Sequence, residues 1–232
     1  MAAGDSPVHR LDPRVKIVGL IGLVVVSVSL PPGAWLAFGA LAAILVGLVV
    51  VARLRPLHVL RRMTVEVPFL LAASVLPFAV EDGVVLGVTV GAKITIGVLA
   101  MVILSSTTPF PRLLRGFELL RTPRLIVEIV AFMWRYLHVL GEQVSNMRTA
   151  RAARGYSARF FWQAAASTGP LVATMFVRSL QRGERVYLAM LSRGYTGTMP
   201  EVAVERFALR PVDVSFLAAL AALLVLVRVL LP

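Results

Sequence analysis

Apolar residues run in long blocks along this chain, from Val15 to Leu30, Ala34 to Ala52, Val65 to Val80, Val84 to Ser105, and Val212 to Leu231. A bilayer core of ~30 Å takes about 20 helical residues at ~1.5 Å each, so each block reads as a candidate span. The first is short, and Arg14 and Lys16 beside it are expected to snorkel to the headgroups. Pro31-Pro32-Gly33 ends that block. It is a poor cleavage site and a second block follows at once, which favours a retained span over a signal peptide. Trp35 starts the second block, where an aromatic belt residue belongs. Pro68 and Pro77 predict a kink in the third. Glu81-Asp82-Gly83 is a tight acidic turn before the fourth, which contains Lys93. Pro211 opens the last block, with Asp213 complementing the helix dipole in its first turn and Arg228 snorkelling at the far end.

From Pro109 to Arg210 the pattern changes. Leu125, Ile129, Phe132, Met133, Tyr136, Leu137 and Leu140 recur at helical spacing, with Glu128, Arg135 and Glu142 between them. This predicts an amphipathic helix from about Arg124 to Arg154. A second is predicted from about Pro170 to Arg193, with Pro170 in its first turn. Gly155 and Gly194 follow the two helices, where a terminator belongs.

Charge orients the blocks. The N-terminal segment carries Arg10, Arg14 and Lys16, and the second loop carries Arg53, Arg55, Arg61 and Arg62. The first and third loops carry neither Lys nor Arg, and the segment after Ser105 is rich in Arg. The positive-inside rule then puts the N-terminus, the second loop and residues 109–210 in the cytoplasm, and the C-terminus outside. Composition agrees: 58% of the 232 residues are hydrophobic and only 16% charged. Mean hydropathy is +0.84. The expected fold is all-α: a polytopic membrane protein with about five transmembrane helices. Its divisions are residues 1–106 with four spans, a cytoplasmic segment 107–210, and the last span at 211–232. The net charge of +12 does not point to nucleic acid, because the basic residues alternate with apolar blocks and form no patch on a polar domain. There is no cysteine, which excludes disulfides, thiolate catalysis and thiolate metal sites.

The search for chemistry returns little. His9, His58 and His138 lie in separate segments without metal-ligand spacing, and there is neither a P-loop nor HExxH. Gly19 and Gly22 suggest close helix packing. Lys93 is an intramembrane charge and so a functional candidate by default. The alternative is that it snorkels or pairs inside the bundle, with Glu66 as a possible partner.

One theme repeats. The first amphipathic helix ends Ala153-Arg154-Gly155-Tyr156, and the second ends Ser192-Arg193-Gly194-Tyr195. A small residue permits close approach, Arg offers a planar fork for carboxylates, and Gly closes the helix. For one copy, dipole complementation and capping would be explanation enough. Two copies in one cytoplasmic segment favour docking to two equivalent partner subunits.

These residues resemble a known family. The chain is similar to the transmembrane T component of energy-coupling factor (ECF) importers, most closely the CbiQ group associated with cobalt. The resemblance begins at His9-Arg10-Leu11-Asp12-Pro13-Arg14-Val15-Lys16. It continues through Thr107-Thr108-Pro109, Thr122-Pro123-Arg124, Arg135-Tyr136 and the two Arg-Gly motifs. The family's motif is Ala-Arg-Gly; the second copy departs as Ser192-Arg193-Gly194. The stretch from Arg193 to Pro200 is similar to the cobalt branch.

The resemblance implies a non-catalytic subunit in the inner membrane. Two cytoplasmic ATPases carrying ATP and Mg²⁺ would dock at Ala153, Arg154, Gly155, Ser192, Arg193 and Gly194. A separate, CbiM-like membrane protein would capture the cargo. No cofactor or metal would be bound by this chain, and Co²⁺ would be cargo held by the partner. Nickel or a vitamin are alternative cargoes. A stand-alone secondary transporter would need paired repeats around a midplane site, and an intramembrane enzyme would need converging polar groups. The blocks supply neither.

Overall fold

The computed structural model describes residues 7–79, 81–155, 161–197 and 211–230. Val80, Tyr156, Thr198 to Arg210 and Leu231, all cited above, lie outside the described residues. Among the described residues the secondary structure is helical, with no strand. In chain order the helices are α1 (Pro7–Arg10), α2 (Pro13–Ser29), α3 (Trp35–Val51), α4 (Pro56–Met63), α5 (Val67–Ala73), α6 (Leu76–Ala79) and α7 (Gly83–Thr107). Then come α8 (Phe110–Leu119), α9 (Arg124–Ala153), α10 (Phe161–Leu191) and α11 (Pro211–Leu230). A 3₁₀ turn, Thr64–Glu66, joins α4 to α5. The chain forms two compact units: Met1–Arg121 with Glu205–Pro232, and Thr122–Val204.

The first unit is built on α2, α3, α7 and α11. Leu23, Leu41 and Leu45 are fully buried, and Ile103, Leu220 and Leu224 belong to the same core. The other side of α2 is equally apolar: Val18, Ile21, Val25 and Val28 are exposed at three- and four-residue spacing. A soluble domain rarely presents such a stripe to water. Helix α7 is long and apolar enough to cross a membrane, while α3 and the Pro211–Leu226 part of α11 are shorter apolar helices. Gly19 serves close packing, since a Cβ there would lie 2.8 Å from Leu220 Cδ2. Gly116 does the same for α8, where a Cβ would come within 2.9 Å of Ile17 Cδ1 on α2.

The third apolar block departs from a single kinked helix. It is divided into the 3₁₀ turn, α5 and α6, with Pro68 and Pro77 each at the start of a short helix. A proline lacks the N–H that helix continuation requires, and its ring crowds the preceding turn. The pieces nonetheless descend antiparallel beside α7. Arg62 meets Ser105 and Ser106. Glu66 lies beside Thr95. Leu70 faces Gly91, Ala73 faces Gly87, and Leu76 faces Gly83. The reversal between α6 and α7 turns on Asp82, whose φ is +63°. A Cβ at Gly83 would collide with the Leu76 carbonyl, so glycine is required there.

Lys16 does not snorkel. It is 5% exposed, and its ammonium donates to the carbonyls of His9 and Thr107 and to Thr108 Oγ1. The physical reason is supply: the last turn of α7 has carbonyls left over, and a cation is the natural donor to them. Beside it, Asp12 caps α2 by accepting from the Arg14 N–H at 2.9 Å, and the Asp12 N–H donates to Asp213 Oδ1 at 3.1 Å. Asp213 is in the first turn of α11. The start of α2, the end of α7 and the start of α11 are therefore tied together at one level. The N-terminal motif and Thr107-Thr108 both serve this junction.

In the second unit α9 and α10 pack on each other. Helix α10 begins nine residues before the expected Pro170, which lies inside it. An amphipathic helix of this length can absorb the one backbone bond that Pro170 cannot donate. Both helices leave much apolar surface uncovered, with Met133, Leu137, Phe176 and Leu180 all exposed.

Candidate functional site

The two Arg-Gly ends share a left-handed glycine cap and its return bond. Ala153 is the last residue of α9, and Arg154 is its C-cap. Gly155 has φ of +78°, and its N–H returns to the Ala152 carbonyl at 3.0 Å. At the second end Gly194 has φ of +83° and its N–H returns to the Leu191 carbonyl at 3.0 Å. The Tyr195 N–H closes the turn on Met190 O, also at 3.0 Å. These two bonds form the Schellman arrangement, which needs a left-handed residue after the cap. Glycine takes that conformation without the Cβ clash other residues suffer. Ser192 Oγ folds back on the Ala189 carbonyl, so it stays compact like the alanine it replaces. Ala153, Arg154, Gly155, Ser192, Arg193 and Gly194 are all exposed.

Arg154 also lines a groove of about 720 Å³ between α9 and α10. Arg151 and Arg178 line it too, with Gln143, Asn146 and Thr174. Gln143 Oε1 is buried there without a hydrogen-bond partner. No carboxylate is among the lining residues. Guanidinium groups in a groove of this kind suit planar anions such as carboxylates, which they can grip by paired bonds. Sequence reasoning singled out Arg154 but passed over Arg151 and Arg178. The signal was present: Gln143, Met147, Ala150, Arg151 and Arg154 recur at three- and four-residue steps on one face of α9. Arg193 is not among the groove residues.

Lys93 has a defined position. Its ammonium donates to the carbonyls of Val28 and Leu30, each at 2.9 Å. Leu30 is the C-cap of α2, so Lys93 supplies donors to a helix end. Glu66 is not its partner. That carboxylate lies beside Thr95 and is 7% exposed, with Oε2 unpartnered. A backbone end of α2 outcompetes the carboxylate because it lies alongside the ammonium. Among the described residues, no group of three or more His, Asp or Glu could hold a metal ion.

Comparison with known proteins decides the family. The family described as cobalt transport protein, CbiQ, matches residues 4–204. The chain belongs to the CbiQ family. An ECF transporter transmembrane protein, EcfT, of Bacillus selenitireducens is 28% identical over 224 residues, covering 84% of this chain and 81% of its own. A cobalt transport protein CbiQ of Rhodobacter capsulatus is 32% identical over 129 residues, covering 55% of this chain and 52% of its own. An uncharacterised protein of Methanocaldococcus jannaschii is 32% identical over 117 residues, 50% of this chain and 43% of its own. The matched segment thus spans about half the length of the last two relatives. This CbiQ-family chain is a transmembrane component of the ECF transporter type, and membership in a transport family implies a membrane location.

Proposed function

We propose that this chain couples two cytoplasmic ATPases to a cargo-capture membrane protein in an ATP-driven importer, with cobalt as the cargo. The observation that carries the reading is the pair of exposed Arg-Gly helix ends with matching caps. Two equivalent ends suit two equivalent ATPases, each offering a carboxylate to one arginine. The chain's own role is mechanical rather than catalytic: ATP and Mg²⁺ sit on the ATPases, and Co²⁺ is held by the capture protein. The uncovered apolar faces of α9 and α10 suit that protein. Nickel and a vitamin are the alternative cargoes.

The topology we propose has five crossings: α2, α3, the broken segment 64–79, α7 and α11. The broken segment qualifies because it runs the length of α7. The N-terminus and residues 107–210 face the cytoplasm in this reading, and the C-terminus faces outside. The six motif residues, Ala153, Arg154, Gly155, Ser192, Arg193 and Gly194, form the two docking ends. Lys93 serves the architecture of the membrane region.

The test uses Arg154→Ala, Arg193→Ala and the double variant, each purified with the ATPases. Stranding one member of a buried charge pair costs about 2–5 kcal/mol. Single variants should therefore assemble weakly and transport slowly, and the double variant should do neither. Lys should rescue only in part, because it lacks the fork. Parental transport by the double variant would refute the docking role.

A further inference from the structure

A second groove lies in the first unit. It encloses about 540 Å³ between α4 and the C-terminal half of α7. One wall is cationic and polar, formed by His58, Arg61, Arg62 and Ser105, while the other, Val65, Val98, Met101 and Val102, is apolar. Among the described residues that line it there is no carboxylate. We propose that this groove is a binding site for an anionic phospholipid of the surrounding bilayer.

Depth supports that occupant. Arg62 Nη1 donates to Ser105 Oγ at 3.1 Å and Ser106 Oγ at 3.0 Å, in the last turn of the long apolar helix. This is the level of the junction made by Lys16, Asp12 and Asp213, where α7 ends. Val98 lies one helical stretch deeper, roughly 10 Å below Ser105 at ~1.5 Å per residue. The cationic wall thus stands where a phosphate sits, and the apolar wall where the upper acyl chain runs. Helix α4 matches the setting: Pro56–Met63 puts Arg61 and Arg62 in its last turn while Leu57 and Leu60 stay 79% and 67% exposed. A short helix with that division lies in a membrane interface. Basic pockets between transmembrane helices are suited to acidic lipid headgroups. The two serines hold one edge of the Arg62 guanidinium, so the fork is oriented before a phosphate arrives. Arg61 is exposed and adds a second charge.

The experiment is native mass spectrometry of the full chain in detergent, offered dioleoyl phosphatidylglycerol or dioleoyl phosphatidylcholine. One phosphatidylglycerol should be retained well above phosphatidylcholine. Arg61→Gln should weaken that retention about fivefold, the contribution of one basic residue near an anionic headgroup. Met101→Trp, which fills the apolar wall, should weaken it as well. Unchanged thermal midpoints would show that both variants fold. Equal retention of the two lipids, or parental retention by both variants, would overturn the proposal. So would competition by glycerol 1-phosphate at matched concentration, since the headgroup alone would then suffice. If Arg61→Gln instead weakens assembly with protein partners in lipid-free detergent and leaves lipid retention intact, the groove holds a protein.

Discussion

A single cation shows how much of this fold depends on backbone ends. Lys93 sits within the longest apolar helix, yet its ammonium is committed to the carbonyls of Val28 and Leu30. Replacing it with methionine would keep much of the volume and remove both donors. One of these bonds is part-buried and the other exposed, so losing the donor costs at most roughly 1–3 kcal/mol, the figure for a buried acceptor. Lys93→Met should therefore insert and assemble, but its thermal midpoint in detergent should fall, with transport per assembled complex close to parental. Loss of transport at an unchanged midpoint would make Lys93 a functional group instead. The sequence could not reveal this arrangement. It named Lys93 as unusual and offered Glu66 as a partner, because side chains are what a sequence displays. The true partners are main-chain oxygens freed by the end of another helix. Lys16 misled for the same reason, its partners being mostly carbonyls of His9 and Thr107.

At the level of elements, hydrophobic runs located α2, α3, α7, α9 and α11 to within two residues, while the short helices α1, α4 and α8 were not anticipated. Block ends at Pro31-Pro32 and Glu81-Asp82-Gly83 were marked by turn-forming residues. Two further expected helices had internal prolines, and they fell on opposite sides of expectation. Pro68 and Pro77 divided a block read as one helix, whereas Pro170 was accommodated within a helix expected to start there. A proline's cost is local, and neighbouring packing decides whether a helix ends or absorbs it. The glycines of α7 test how packing distinguishes identical residues. A Cβ at Gly83 would strike the Leu76 backbone, while one at Gly97 would meet nothing within 4 Å. Gly83→Ala should disrupt the reversal into α7 and lower the thermal midpoint sharply. Gly97→Ala should be neutral or raise stability by roughly 0.5–1 kcal/mol through helix propensity alone. Matching midpoints for the two variants would mean that the turn at Asp82 and Gly83 is not held as described.

For the whole molecule, the decisive question is which way the chain crosses. The motifs and the Arg distribution were readable because a helix cap and a charged loop are both local in sequence. The meeting of three helix ends at Asp12, Lys16, Thr107 and Asp213 was not, since it joins residues about 200 positions apart. That junction bears on topology. It puts the start of α2, the end of α7 and the start of α11 on one side, whichever side it is. In the topology we propose, the basic loops make that side cytoplasmic, because Lys and Arg near span ends resist translocation. The same proposal has Asp82, at the opposite end of α7, facing outward, and the Arg-rich segment that holds Thr196 facing inward. The absence of cysteine makes the test clean. Single cysteines at Asp82 and Thr196 both occupy exposed positions. With a membrane-impermeant maleimide, intact cells should label only the Asp82→Cys protein, and the Thr196→Cys protein should react only after permeabilisation. The reverse pattern would put the Arg-Gly ends on the side without ATP, and no ATPase could then dock on them.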